Sequence, residues 1–172
     1  ELYEGARRHG VRRIVYASSN HAFGLYEPGT RLRLDAPYRA DTFYGLDGGA
    51  YLNGRGGMDT IFGGASDDVI VGGLNKDVMT GGAGADTYLV RVGDNYDRIM
   101  DFDIAAGGDR IVIAGTAGAA SFAALQMTQN GADVSVKYGA NATLIFANHT
   151  AADLTAEHFV FAGAGSAWEA LF

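Results

Sequence analysis

Residues 54–90 repeat themselves every nine positions: GRGGMDTIF, GGASDDVIV, GGLNKDVMT and GGAGADTYL. Position six is Asp each time (Asp59, Asp68, Asp77, Asp86), and position eight is a large apolar residue (Ile61, Ile70, Met79, Tyr88). A fixed period of this kind dictates architecture before any local propensity does, because each unit must be one supersecondary element stacked on the next. The glycines that open each unit (Gly54 and Gly56, Gly63 and Gly64, Gly72 and Gly73, Gly81 and Gly82) admit positive φ at low steric cost, so a tight turn forms there. The triplet that begins at each Asp is β-prone and points one large side chain inward. Each nonapeptide is therefore one turn and one short strand. The turn supplies backbone carbonyls and a carboxylate, the hard oxygen donors that calcium takes six to eight at a time.

The pattern resembles the GGxGxDxUx nonapeptide of RTX (repeats-in-toxin) proteins, which implies a parallel β-roll that binds calcium. Two nonapeptides make one coil of such a roll, so equivalent turns stack 18 residues apart. Asp59 then faces Asp77, and Asp68 faces Asp86. The resemblance implies that each ion lies between two stacked turns, held by carbonyls of the Gly-rich positions and by the carboxylates. Four carboxylates in strict register would repel one another if left without cations. Residues 45–53 fit the nine-residue frame as a degenerate first turn, with Gly45, Gly48 and Leu52 in place but Ala50 where Asp belongs. Two full sites are expected, and a weaker one where Asp68 faces Ala50. Glycine makes up 12 of the 39 residues from 48 to 86. Ordering so much flexible backbone costs more than one buried side chain per repeat returns, so metal and a stable neighbour are both required.

The chain has no cysteine, which excludes a disulfide framework, thiolate metal sites and a Cys nucleophile. No apolar run is long enough to span a membrane as a helix, and no cleavable N-terminal signal opens the sequence as given. Charge divides sharply. Residues 1–46 carry seven Arg and five acids, whereas residues 47–172 carry six Lys and Arg against fifteen acids and hold 21 of the 26 glycines. The shift marks a boundary near Leu46. The acidic part repels phosphate, so no nucleic acid partner is expected.

The first part reads as the end of an amphipathic helix over residues 1–9 and a short buried strand, RIVYA, over residues 13–17. The strand runs into Ser18-Ser19-Asn20-His21, and Tyr44-Gly45-Leu46 follows later. This segment resembles the extended short-chain dehydrogenase/reductase (NAD-dependent epimerase/dehydratase) family, uronate dehydrogenases in particular. The resemblance implies catalytic roles for Ser19 and Tyr44 and contact with a sugar acid for Asn20. Gly48 stands where the family's catalytic Lys belongs, and that ammonium is what lowers the Tyr pKa enough for proton transfer at neutral pH. The glycine fingerprint of a dinucleotide site does not precede the segment. Residues 1–46 are therefore expected to be a partial Rossmann-type remnant, not an active enzyme.

After residue 90, residues 97–103 (DRIMDFD) and 109–114 (DRIVIA) resemble the segment that follows the repeats in serralysin-type proteases, with Gly107-Gly108-Asp109 as a turn. Asp97 and Asp101 are candidates to close the final calcium site. Strands are expected over 126–128, 133–138, 143–147 and 158–161, the first two forming a hairpin about Asn130-Gly131, with a short turn or helical piece over 121–125. The four His show no H-x-x-x-H pair, so a zinc protease motif is missing. Residues 166–172, SAWEALF, contain the single Trp (Trp168) and resemble the uncleaved signal of type I secretion substrates.

These readings predict an all-β fold: a calcium-binding β-roll over residues 47–90 and a cap of antiparallel strands over 91–172, behind a short α/β remnant over 1–46. They predict calcium as the ligand, the type I secretion machinery as a partner, and an extracellular site of action. The alternative is an NAD-dependent oxidoreductase fragment related to uronate dehydrogenase. A third reading is a structural module of a surface protein.

Overall fold

The computed structural model describes residues 42–45, 48–115 and 118–171. The helix over 1–9, the strand over 13–17, Ser19 and Asn20 lie outside the described residues.

The nine-residue period becomes two facing parallel sheets. One contains β1 (Thr42–Tyr44), β3 (Thr60–Gly64), β5 (Val78–Gly82) and β7 (Asn95–Ile99). The other contains β2 (Tyr51–Asn53), β4 (Val69–Val71), β6 (Thr87–Arg91) and β8 (Arg110–Ala114). Successive strands alternate between the sheets, so a strand pairs with the one a full coil later. Thr60 lies opposite Val78, and Val69 opposite Thr87, both 18 residues on. The position-eight side chains fill the space between the sheets: Ile61, Ile70, Met79 and Tyr88 are all fully buried, and Leu52, Ile99 and Ile111 continue the row. Alternation along a strand makes this possible, since a single inward residue per short strand suffices.

The roll begins earlier than the composition boundary suggests. β1 precedes Leu46, pairs in parallel with β3, and stacks the Tyr44 ring on Phe62 at a centroid distance of 5.0 Å. The 18-residue register, Thr42 opposite Thr60, accepts this strand although its sequence shows no nonapeptide.

The region after residue 90 carries the expected antiparallel strands and adds two parallel pairings. β9 (Gln126–Asn130), β10 (Asp133–Gly139) and β11 (Ala142–Phe146) are antiparallel to one another, as the Asn130-Gly131 turn predicts. Yet β11 pairs in parallel with β7, and β12 (Phe159–Ala162) pairs in parallel with β8. The cap therefore adds one more coil to the roll and hangs a hairpin on it. The sheet orders are β1-β3-β5-β7-β11-β10-β9 and β12-β8-β6-β4-β2. Val134, Val136, Leu144, Phe146 and Phe159 close the core, and the Phe102 ring meets Phe146 edge-on at 5.0 Å. Three short 3₁₀ segments, Phe122–Ala124, Ala156–His158 and Ala167–Leu171, are the helical pieces among the described residues. The cap packs aromatic and branched side chains against the end of the repeats, burying more apolar area per residue than the Gly-rich turns can.

Candidate metal centre

Each turn of the roll places its position-six Asp beneath the strand of the preceding coil. Oδ1 of Asp77 accepts the N–H of Asp59 at 2.8 Å, and Oδ1 of Asp86 accepts the N–H of Asp68 at 2.8 Å. The sequence-derived pairs thus meet as expected, and Ala50 donates its N–H to Asp68 Oδ1 at 2.7 Å. Two ladders result, one on each side of the roll.

Both ladders run one step further than the nonapeptide pattern. Asp77 donates its N–H to Asp97 Oδ1 at 3.0 Å, and Asp86 donates to Asp109 Oδ1 at 2.9 Å. One column is Asp59, Asp77 and Asp97; the other is Asp68, Asp86 and Asp109. The steps to Asp97 and Asp109 are 20 and 23 residues instead of 18, so a fixed-period reading misses Asp109 and demotes Asp97 to a cap. A signal was available: Asp97-Arg98-Ile99 and Asp109-Arg110-Ile111 both reproduce positions six to eight of the repeat. Asp101, the other capping candidate, accepts the N–H groups of Gly81 and Gly82 at 2.9 Å each, and so sits on the last matched turn.

The second carboxylate oxygen of these residues faces its own turn. Oδ2 of Asp68, Asp77, Asp86 and Asp97 is buried and has no hydrogen-bond partner. A Cβ at Gly72 would come 2.6 Å from Asp77 Oδ2, and one at Gly54 would come 2.6 Å from Asp59 Oδ2 and 2.5 Å from the Gly72 carbonyl oxygen. At Gly63 a Cβ would meet Asp68 Oδ2 and the Gly81 carbonyl oxygen. The missing glycine side chains therefore leave a cradle where a carboxylate oxygen and carbonyl oxygens of stacked turns come together. Gly73 (φ +104°) and Gly82 (φ +99°) make the turn that aims them. Gly56 bridges in parallel to Leu74, and Gly64 lies opposite Gly82.

Among the described residues no three His, Cys, Asp or Glu side chains converge on one metal position. The candidate donor set is a carboxylate oxygen per turn with the backbone carbonyls that approach it. Such oxygen-only, flexible donors suit calcium and do not suit zinc, which favours imidazole and thiolate.

Electrostatics point the same way. Burial, opposed by the hydrogen bond from Asp59 and reinforced by Asp94, pushes the Asp77 carboxyl up to about 6. Burial and the neighbouring Asp109, Asp68 and Asp101 push Asp86 up to about 7, and burial with Asp77 and Asp94 nearby pushes Asp97 up to about 9. Asp68 and Asp109 are raised too, chiefly by burial. These groups hold protons in the metal-free fold at pH values where the unfolded chain, with carboxyls titrating near 4, has lost them. The stability these groups lend the metal-free fold is consequently present in full below about pH 4 and is lost as pH rises through the raised values, between about 4 and 9. Calcium reverses the trend, because it binds only the ionised form. The residual β signal in chelator, read by circular dichroism, is expected to be larger at pH 5 than at pH 8, and the calcium concentration needed for half-saturation to be higher at pH 5. A metal-free β signal that grows with pH would contradict this.

Tyr44 lies apart from these columns, on β1, with 59 % of its surface exposed. Ser19 lies outside the described residues.

The fold and its turn stacks define a parallel β-roll of the calcium-binding kind. Residues 53–88 match the family model of the RTX calcium-binding nonapeptide repeat, in four copies, and RTX nonapeptide repeats bind calcium. Among solved structures, the chain is similar to the AlgE6R3 subunit of the Azotobacter vinelandii mannuronan C5-epimerase, with a TM-score of 0.56, 28 % identity and coverage of 83 % of this chain and 89 % of that one. The fold is also that of part of extracellular lipase LipA from Serratia marcescens, with a TM-score of 0.62, 22 % identity and coverage of 74 % of this chain and 20 % of the lipase. Among curated proteins it is similar to uronate dehydrogenase of Pseudomonas putida, 42 % identical over 66 residues, and to that of Agrobacterium fabrum, 56 % identical over 45 residues. The chain spans 25 % and 17 % of the length of these two enzymes, and the matches cover 35 % and 26 % of this chain.

Proposed function

We propose that the chain is an RTX module that folds when it meets millimolar calcium and thereby supports export and stability of a protein secreted by a type I system. The observation that carries this reading is the row of buried, partnerless Oδ2 atoms on Asp68, Asp77, Asp86 and Asp97, in two columns with one carboxylate per coil. Asp59, Asp68, Asp77 and Asp86 are the carboxylate ligands, and the carbonyls of Gly54, Gly56, Gly63, Gly64, Gly72, Gly73, Gly81 and Gly82 fill the coordination shell. In the cytosol, where calcium is scarce, buried carboxylates repel and Gly-rich backbone is costly to order, so the chain stays extended enough to be transported. Outside, cation binding to the folded form alone shifts the equilibrium toward it.

Residues 1–46 are, in this reading, a dehydrogenase-like remnant, supported by the uronate dehydrogenase matches. Its last segment, including Tyr44, supplies the first described strand of the roll. Catalysis is not part of the proposal, since Gly48 occupies the position of the family's Lys.

Circular dichroism of the full 172-residue chain during a calcium titration tests the switch. Weak β signal in chelator, a cooperative rise at about 0.1 to 1 mM calcium and little response to magnesium are expected, with no NAD binding in either state. Equal β signal in chelator and in millimolar calcium would sink it.

A further inference from the structure

The outer face of the β2-β4-β6-β8-β12 sheet is apolar where a solvated face should be polar. Inward-pointing Ile70, Tyr88 and Ile111 fix the opposite direction for their neighbours Val71, Leu89 and Val112, because side chains alternate across a strand. Those three outward residues are nonetheless buried, at 1 %, 0 % and 0 % exposure, together with Ala114 and Ala162. Their cover is the 3₁₀ segment Ala167–Leu171, whose Trp168 and Leu171 pack on this cluster. Asn53 anchors it by donating its Nδ2–H to the Leu171 carbonyl at 3.2 Å.

The dock is built in register with one of the aspartate columns. Val71, Leu89 and Val112 each lie three residues after Asp68, Asp86 and Asp109, the members of the second column. A single nonapeptide therefore places its carboxylate in the turn, its position-eight residue in the core, and its position-nine residue under Trp168. In the other sheet the position-nine residues Phe62, under the exposed Tyr44 ring, and Thr80 are only half-buried. When the second column is not ordered, Val71, Leu89 and Val112 are not aligned, and no dock exists.

We propose that docking of Ala167–Leu171 is coupled to calcium: the segment is held on the folded roll and set free when the repeats unfold. The coupling rests on the calcium-dependent folding proposed above. In the calcium-poor chain the apolar Trp168 and Leu171 side chains are open to solvent; in the calcium-loaded chain the protein's own sheet covers them. Linkage is reciprocal, so the docked segment in turn strengthens calcium binding.

Trp168 is the single Trp and reports its own environment. In the full chain, calcium is expected to shift its emission to the blue and to cut iodide quenching at least about twofold, both with the same midpoint as the dichroism. Leu171→Asp, outside the repeats, is expected to keep the calcium-induced β signal but lose the blue shift, and to raise the calcium midpoint by about fivefold, the lower end of typical couplings. A chain that folds on calcium with no change in Trp168 emission or quenching would overturn the coupling while leaving the folding switch intact. A flat dichroism titration would overturn both.

Discussion

The Asp86→Asn chain is expected to need at least about tenfold more calcium than wild type to reach half its β-structure, yet to be no less structured in chelator. Asn keeps the shape of Asp and the oxygen that accepts the Asp68 N–H. What it loses is the charge, at a carboxyl whose pKa burial and three neighbouring aspartates raise to about 7. Without metal that charge is a liability, so removing it relieves the fold. In the proposed metal-bound state it is a ligand in the middle of the second column, between Asp68 and Asp109, so removing it weakens binding on both sides. The two dichroism curves should therefore cross. Asp67→Asn is the control, since Asp67 is exposed and outside the columns and accepts the Ala85 N–H of the next coil through an oxygen that Asn keeps; its midpoint should stay within about twofold of wild type. Asp86→Asn with an unchanged calcium midpoint would remove the second column from the metal centre.

Gly73→Ala is expected to abolish calcium-induced folding of the first column at any accessible concentration. Gly73 adopts φ +104°, a conformation that costs an L side chain roughly 1 to 2 kcal/mol. Space is the larger obstacle. A Cβ there would lie 2.6 Å from the Arg55 carbonyl carbon and 2.8 Å from the Arg55 nitrogen, both backbone atoms of the previous coil. Backbone cannot rotate aside as a flexible side chain can, and the two coils are already tied by the Leu74 N–H to the Arg55 carbonyl at 2.7 Å. Separating them breaks the stacking on which the Asp59 and Asp77 pair depends. Gly131→Ala makes the contrast: Gly131 also has positive φ (+65°), but nothing lies within 4 Å of its would-be Cβ, so the expected loss is about 1 kcal/mol. The β signal and its urea dependence in saturating calcium read both variants. Equal losses would show that the glycines matter for turn conformation alone and not for the close approach of coils.

Much of the roll is legible in the residues themselves. Position eight is apolar in Ile61, Ile70, Met79 and Tyr88 because one inward side chain per strand is all a two-sheet roll of this width admits, and all four are buried as the period requires. The Asp59 with Asp77 and Asp68 with Asp86 pairs follow from the same arithmetic, since identical units in a solenoid stack on identical units. The hairpin at Asn130-Gly131 follows from local turn chemistry. Arithmetic fails where the spacing does. Asp97 and Asp109 enter the columns through loops of different length, and a ladder hydrogen bond depends on where a loop returns, not on how many residues it holds. β1 escaped for the opposite reason: Thr42, Phe43 and Tyr44 carry dehydrogenase-like sequence, yet the free edge of β3 accepts any β-prone strand that arrives in register.

The sequence by itself determined the repeating unit, the sign and chemistry of its ligand, and which aspartates face each other. These are properties of single residues at a fixed period, so no long-range information is needed to read them. Only the tertiary structure decided that the roll reaches back to β1, that β11 and β12 prolong it in parallel, and that Trp168 and Leu171 cover Val71, Leu89 and Val112. Each of these joins segments far apart in the chain, and such contacts are set by which apolar faces and strand edges remain uncovered once the local units have formed.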